Sequence, residues 1–230
     1  MNTTRLQAQD RRAAIIAAVR PLVARKGLNG TTTKEMAIAA GVSEALIFRH
    51  FPSKQALYDA IVRSGAGGDP AIERLLSMAP STATLVHIVR LVVRHFVMDV
   101  PGNVDGKLPQ HRLMLASLME DGQFARLRYG WIKHNLQPLF VACVQAAEAA
   151  GDLVPSSVAP ENRLWFAEHL GAMFASLHLS GNGTVPYGAG PDDLAHQMTW
   201  FLLRGIGFKD TAIAVLCAPA ASSRKDGSTS

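Results

Sequence analysis

The stretch Thr33-KEMAIAAGVSEALIFRHFPSK-Gln55 sets two short helical runs on either side of Ala40-Gly41-Val42-Ser43, and this spacing narrows the possible folds more than any other feature. Small residues at Ala37 and Ala40 let two helices approach closely, and Gly41 can take the left-handed backbone of a tight turn. Val42 plugs the corner, and Ile47 returns to the core. The pattern predicts a helix-turn-helix whose second helix turns Glu44, Ala45, Arg49 and His50 outward, where they could meet a major groove. A purely structural helical corner is the other reading of the same spacing.

Charge is distributed unevenly. The chain of 230 residues has 23 Lys and Arg against 18 Asp and Glu, a net charge of +5. Residues 1–65 hold ten basic and four acidic side chains, net +6; residues 66–230 hold thirteen and fourteen, net −1. A basic module joined to a near-neutral one is the expected footprint of nucleic-acid binding, although a solvated basic surface gives the same sum. With 48% hydrophobic and 18% charged residues the composition is that of a globular protein.

Helical periodicity runs through the whole chain, and no alternating strand pattern of useful length occurs. A first helix is predicted over Leu6 to Lys26, with Pro21 a kink. Thr31 to Thr33 supply an N-cap for Lys34 to Ala40, Ser43 caps a helix to Phe51, and Lys54 to Ser64 follows Pro52-Ser53. After the glycine-rich joint Gly65 to Gly68, helices are expected at Pro70 to Met78, Thr82 to Val100, Gln110 to Glu120, Gln123 to Ala150, Glu161 to Leu179 and Asp192 to Gly207. Pro138 should kink the fourth of these without ending it. The reading is all-α: a helix-turn-helix domain over 1–65, a larger helical domain over 66–217, and a disordered tail over 218–230.

Several classes are disfavoured. The most apolar stretch, Thr84 to Val100, contains Arg90, Arg94 and His95, so no membrane span is expected. The N-terminus has no signal-peptide core, so a cytoplasmic location is expected. Cys143 and Cys217 are isolated thiols, neither a disulfide framework nor a zinc knuckle. There is no nucleophile elbow, phosphate loop, metal motif or paired carboxylate, so neither enzyme nor cofactor is expected.

The run Thr31-TTKEMAIAAGVSEALIFRHFPSKQAL-Tyr58 resembles the N-terminal domain of TetR-family regulators: two threonines, a short helix, alanine-glycine-valine-serine, a recognition helix ending in histidine-phenylalanine, then a lysine. The resemblance covers residues 10–63. It implies that Thr33, Ser43, His50 and Lys54 hold the DNA backbone and that Lys34, Glu44, Ala45 and Arg49 face base edges. Ser43 doubles as an N-cap, and His50 could instead pack beneath the recognition helix. The family commonly has tyrosine where this chain has Phe48, which cannot donate to a phosphate.

The resemblance further implies a ligand-released repressor that binds a palindromic double-stranded operator as a homodimer. An activator or a ligand-independent regulator could use the same reading head. The last two long helices would pair across a two-fold axis, with Ala167, Gly171, Ala172 and Ala175 as a close-contact seam and Trp165, Phe174, Leu194, Met198, Phe201 and Leu202 as bulk. An intramolecular core explains those residues equally well. A small-molecule inducer would sit among the central helices, where His87, Arg90, Arg94, His95, His111, Arg112, Tyr129, Trp131, His134 and His169 are polar or aromatic candidates. Met114, Met119 and Met173 are adaptable lining. This mixture suggests a medium-sized, partly aromatic compound, anionic or neutral.

Overall fold

The computed structural model describes residues 3–27, 30–66, 70–120, 122–179 and 184–217. Among them the chain forms twelve α-helices: α1 Thr3–Lys26, α2 Thr33–Ala40, α3 Glu44–His50, α4 Lys54–Ala66, α5 Pro70–Leu76, α6 Thr82–Arg94, α7 Lys107–Met119, α8 Gln123–Asn135, α9 Gln137–Ala149, α10 Pro160–Ser176, α11 Pro191–Ile206 and α12 Asp210–Leu216. The fold is all-α; a single β-bridge, Leu153 with Phe208, is the only strand-like pairing among the described residues. The disordered tail expected over 218–230 lies outside them.

Local chemistry explains the first three helix ends. Thr32 is the N-cap of α2: its hydroxyl accepts from the Glu35 amide at 3.2 Å, and the Glu35 carboxylate accepts from the Thr32 amide at 2.8 Å. Its neighbour Thr31 is fully buried and donates to the Gly27 carbonyl at 2.7 Å. Gly41 ends α2 at φ 63°, a left-handed conformation in which a side chain would be strained.

The helices depart from the predicted ones at several points. The Thr82 to Val100 run is α-helical only to Arg94 and then widens into a π-turn over His95–Asp99, which closes with the Val100 amide on the His95 carbonyl at 2.9 Å. α7 starts three residues earlier than expected, because Pro109 falls in its first turn, where a missing amide costs nothing. The single helix expected over Gln123 to Ala150 is instead two: α8 ends at Asn135 and α9 opens at Gln137 with Pro138 in its first turn, although Leu136 between them stays in right-handed helical conformation and Phe140 still donates to the Leu136 carbonyl at 3.0 Å. The unpredicted α12 has one buried anchor, Ile213, and is tied to α11 by Arg204 with Asp210 and to α6 by Arg90 on the Leu216 carbonyl at 2.9 Å.

Two large apolar cores form among the described residues, with a small third of Phe96, Val100 and Ala175. One fills the body between α5, α6 and α8 to α12, built on Leu85, Val89, Phe140, Val144, Leu164 and Leu203. The other lies beneath the helix-turn-helix and contains Ile15, Val19, Met36, Ile47, Phe51, Leu57 and Ile61, together with Leu113 and Met114 of α7 and Phe124 and Ala125 of α8. Tyr58 and Phe124 meet edge-on with ring centroids 5.9 Å apart. The core of the reading head is therefore completed by two helices of the body.

Arg163 is the main buried polar link in the body. Its Nε donates to the Val158 carbonyl at 2.9 Å, and its Nη1 reaches the Ile206 carbonyl at 3.1 Å and Glu148 at 3.3 Å. The small-residue seam faces inward: Ala167, Gly171 and Ala175 are buried, and a Cβ on Gly171 would sit 2.3 Å from the Phe96 ring. Of the two readings of those residues, the intramolecular core is the one observed. Gly171→Ala should overpack this contact and cost about 1–3 kcal/mol, seen as a lower midpoint in denaturant unfolding.

Candidate nucleic-acid interface and internal cavity

α3 is only seven residues long and is held at both ends. Ser43 caps it, accepting from the Leu46 amide at 3.2 Å. At the other end Arg12 of α1 donates to the His50 carbonyl at 2.6 Å, and its guanidinium lies 4.2 Å above the centre of the Phe51 ring. Ile47 and Phe51 bury the inner face. A helix too short to persist alone is thus fixed by its cap, its clamp and its core.

The outer face carries Glu44, Ala45, Phe48 and Arg49, all exposed, with His50 half-buried at the end. On α2, Lys34 is exposed and Thr33 half-buried; Lys54, half-buried, opens α4. Two apolar side chains stand out in this polar setting: Phe48 at 45% and Ile38 at 72% exposure. Ile38 was not among the sequence candidates, because a hydrophobic residue on a short amphipathic helix reads as core. Lys26 and Glu35 link α1 to α2 at 2.5 Å, and this pairing with the Thr32 hydrogen bonds holds the Glu35 carboxyl down at about 2.

The proposed ligand residues scatter. His111 and Met114 line an internal cavity of about 50 Å³, together with His95, Phe96 and Lys107 before and at the start of α7, Phe124 and Arg128 of α8, and Glu168 of α10. Tyr129 packs edge-on against Trp165 and His169, with centroids 5.5 and 5.6 Å away. Arg90 and Arg94 line a separate outer groove with Asp99 and His196. His87 is exposed, His134 is exposed with Nδ1 2.6 Å from the Gly130 carbonyl, and Met173 is exposed. Trp131 is half-buried, Arg112 donates to the Leu179 carbonyl, and Met119 points to solvent.

Sequence reasoning missed Arg128 and Glu168, because a charged residue on an amphipathic helix reads as surface. Inside the cavity, burial together with the nearby charges of Arg128 and Lys107 pulls His95 down to about 3, so it is neutral. Burial lowers His111 as well. The Ser176 hydroxyl donates to the Ala172 carbonyl at 2.7 Å, which assigns the proton in the 3.0 Å contact between His111 Nε2 and Ser176 Oγ to the histidine. Burial raises the Glu168 carboxyl to about 7 despite the Arg128 charge. No group of three potential metal ligands and no membrane-spanning helix occurs among the described residues.

A clamped recognition helix after a left-handed glycine turn, on a basic head, defines a helix-turn-helix protein of the DNA-reading class. Residues 15–61 match the family model of bacterial regulatory proteins, tetR family. The chain is 50% identical over 48 residues to the uncharacterized HTH-type transcriptional regulator YvkB of Bacillus subtilis, covering 21% of this chain and 25% of that protein. It is 29% identical over 108 residues to the nucleoid occlusion factor SlmA of Mannheimia succiniciproducens, 46% of this chain and 50% of that one. The match thus spans half or less of these curated relatives. The solved structure of AibR with isovaleryl coenzyme A and operator DNA superposes at a TM-score of 0.60, covering 83% of this chain and 97% of AibR at 17% identity, which shows a common fold. Residues 15–61 of this chain are thus a TetR-family N-terminal domain.

Glu168 supplies a test of the buried cavity. An acid whose folded pKa is raised binds more protons folded than unfolded, so stability falls as pH climbs from its unfolded value near 4 to about 7 and then levels. Glu168→Gln removes that loss. Its melting temperature should exceed that of the parent at pH 8, by roughly 1–3 kcal/mol in stability, and the two should converge at pH 4.

Proposed function

We propose that this chain is a ligand-released transcriptional repressor that reads a palindromic DNA operator as a homodimer in the cytoplasm. The observation that carries the reading is α3, clamped at both ends with its inner face buried and Glu44, Ala45 and Arg49 free on its outer one. Arg49 suits the O6 and N7 acceptors of guanine, Glu44 the N4 donor of cytosine, and Ala45 a thymine methyl. Lys34 is the fourth base-facing residue. Thr33, Ser43, His50 and Lys54 are the backbone contacts, with amides at the starts of α2 and α4 adding donors for phosphate.

The dimer reading is supported by an exposed apolar face on α10 and α11. Phe166 is 63%, Met173 60% and Phe201 67% exposed, and Leu170, Leu194 and Met198 flank them. So large an apolar surface on a water-facing helix pair marks an interface. A two-fold pairing there gives two heads, and half-sites about 34–36 Å apart would fit them. The bulk expected from Phe201 falls on this face, whereas Phe174 and Leu202 lie in the core.

Ligand release is supported by the cavity, whose walls Met114 and Phe124 also belong to the core of the reading head. A ligand acts only through different affinity for the DNA-competent and incompetent arrangements, and a cavity sharing walls with the head makes such a difference physical. AibR, of the same fold, has been solved with both an acyl coenzyme A and operator DNA.

Selection from random duplexes should return a two-fold symmetric site whose affinity falls steeply with salt. Retention without symmetry, or none at all, would remove the reading. Phe48→Tyr should keep the selected sequence and tighten binding by about 1 kcal/mol through one new phosphate contact. Phe201→Glu should yield a monomer by sedimentation and lose affinity for the full palindrome.

A further inference from the structure

The internal cavity holds a cation with no hydrogen-bonded anion. Among the described residues the Arg128 guanidinium makes no hydrogen bond and no ion pair; the Trp131 ring lies 5.7 Å from Cζ, and Glu168 acts on it only through its longer-range charge. A half-buried guanidinium left so, its charge partly withdrawn from water, is costly, which is the condition a ligand relieves. The other positive group, Lys107, is already committed to Asp99 at 2.6 Å. Glu168 is the carboxylate facing the cavity, yet it does not come within ion-pair distance of Arg128. Its buried Oε2 has no hydrogen-bond partner, with His169 Nε2 at 3.5 Å.

We infer that this cavity is a receptor for a short-chain monocarboxylate, its carboxylate forked by Arg128 and its hydrocarbon end against Phe96, Met114 and Phe124. Planar guanidinium and planar carboxylate match bidentately, while a phosphate dianion would find one uncommitted cation among the described residues. Volume sets the chain length. About 50 Å³ is room for roughly four waters, hence an acid of about two to four carbons, well below the roughly 300 Å³ of a drug-sized site. The medium-sized ligand suggested by composition does not fit the cavity as it stands.

Glu168 gives the site a proton. Groups facing it are Arg128 and Tyr129 of α8, His169 of its own helix, and His95, Lys107 and His111 across the cavity. An arriving anion favours the neutral carboxyl, which can then donate from Oε2 to the ligand. Binding therefore takes up a proton and weakens as pH rises through 7. This inference rests on the ligand-release reading only for its consequence at DNA; the binding itself does not.

The test is calorimetric titration of the full-length protein with sodium acetate, propionate and butyrate, and with propionamide as the neutral isostere, at pH 6 and pH 8. Propionate should bind at pH 6 at least about tenfold tighter than propionamide and about tenfold tighter than at pH 8. Arg128→Met should abolish binding, and Arg128→Lys, should the first variant not fold, should weaken it about fivefold or more. Glu168→Gln should bind with the pH dependence gone. No heat with any of the three acids, equal binding of propionamide, or unaltered binding by a folded Arg128 variant would overturn the assignment. Propionate that binds but leaves operator affinity unchanged would sink the ligand-release reading and leave the site; operator release by another compound alone would do the reverse.

Discussion

The structure depends on one shared packing surface. α1 to α4 bury Ile15, Val19, Met36, Ile47, Phe51 and Ile61, and that core closes only when Leu113 and Met114 of α7 and Phe124 and Ala125 of α8 are added. Burial of a large aliphatic or aromatic side chain is worth about 1.5–3 kcal/mol, so three such residues from the body are a substantial part of what holds so small a head together. The head is continuous with the body in its packing, whatever the chain order suggests. α3 inherits its position from this surface through Ile47, Phe51 and the Arg12 clamp.

The same helices enclose the cavity. Met114 and Phe124 serve both at once, packing against the head and lining the cavity with Arg128, His95 and Glu168. Any occupant therefore presses on two residues of the head's own core. Interiors packed to near crystal density respond to such pressure by shifting elements, because there is no slack to absorb it. The π-turn at His95–Asp99 and the close approach of Phe96 to Gly171 fix the opposite wall. A π-turn on one side and a shared core on the other make the cavity sensitive to its contents.

Much of the reading head was legible in the sequence because its determinants are local. A threonine cap, a glycine that must be left-handed and a serine cap act within four residues of themselves, and each appears where the pattern predicted it. Pro138 marks the break between α8 and α9, where a kink within one helix was expected. The helices of the body were mostly placed, but the π-turn was not: its Phe96 packs on Gly171 of α10, a partner far along the chain that spacing cannot reveal. α12 escaped because its one buried residue, Ile213, leaves little periodicity. The cavity was legible only in part: His111 and Met114 were among the candidates, while Arg128 and Glu168 were not, since burial of a charge leaves no trace in spacing.

The sequence by itself determined the reading head and the faces of its helices: the left-handed turn at Gly41, the caps at Thr32 and Ser43, and the basic excess confined to the first 65 residues are short-range chemistry. Tertiary structure alone decided which small residues of α10 face inward, which large ones are left on the surface, and which charges are shut in a cavity. Those outcomes depend on pairs such as Phe96 with Gly171 and Tyr58 with Phe124, partners more than sixty residues apart. A pattern along one helix states which face is apolar; only the neighbour that arrives states what that face is for.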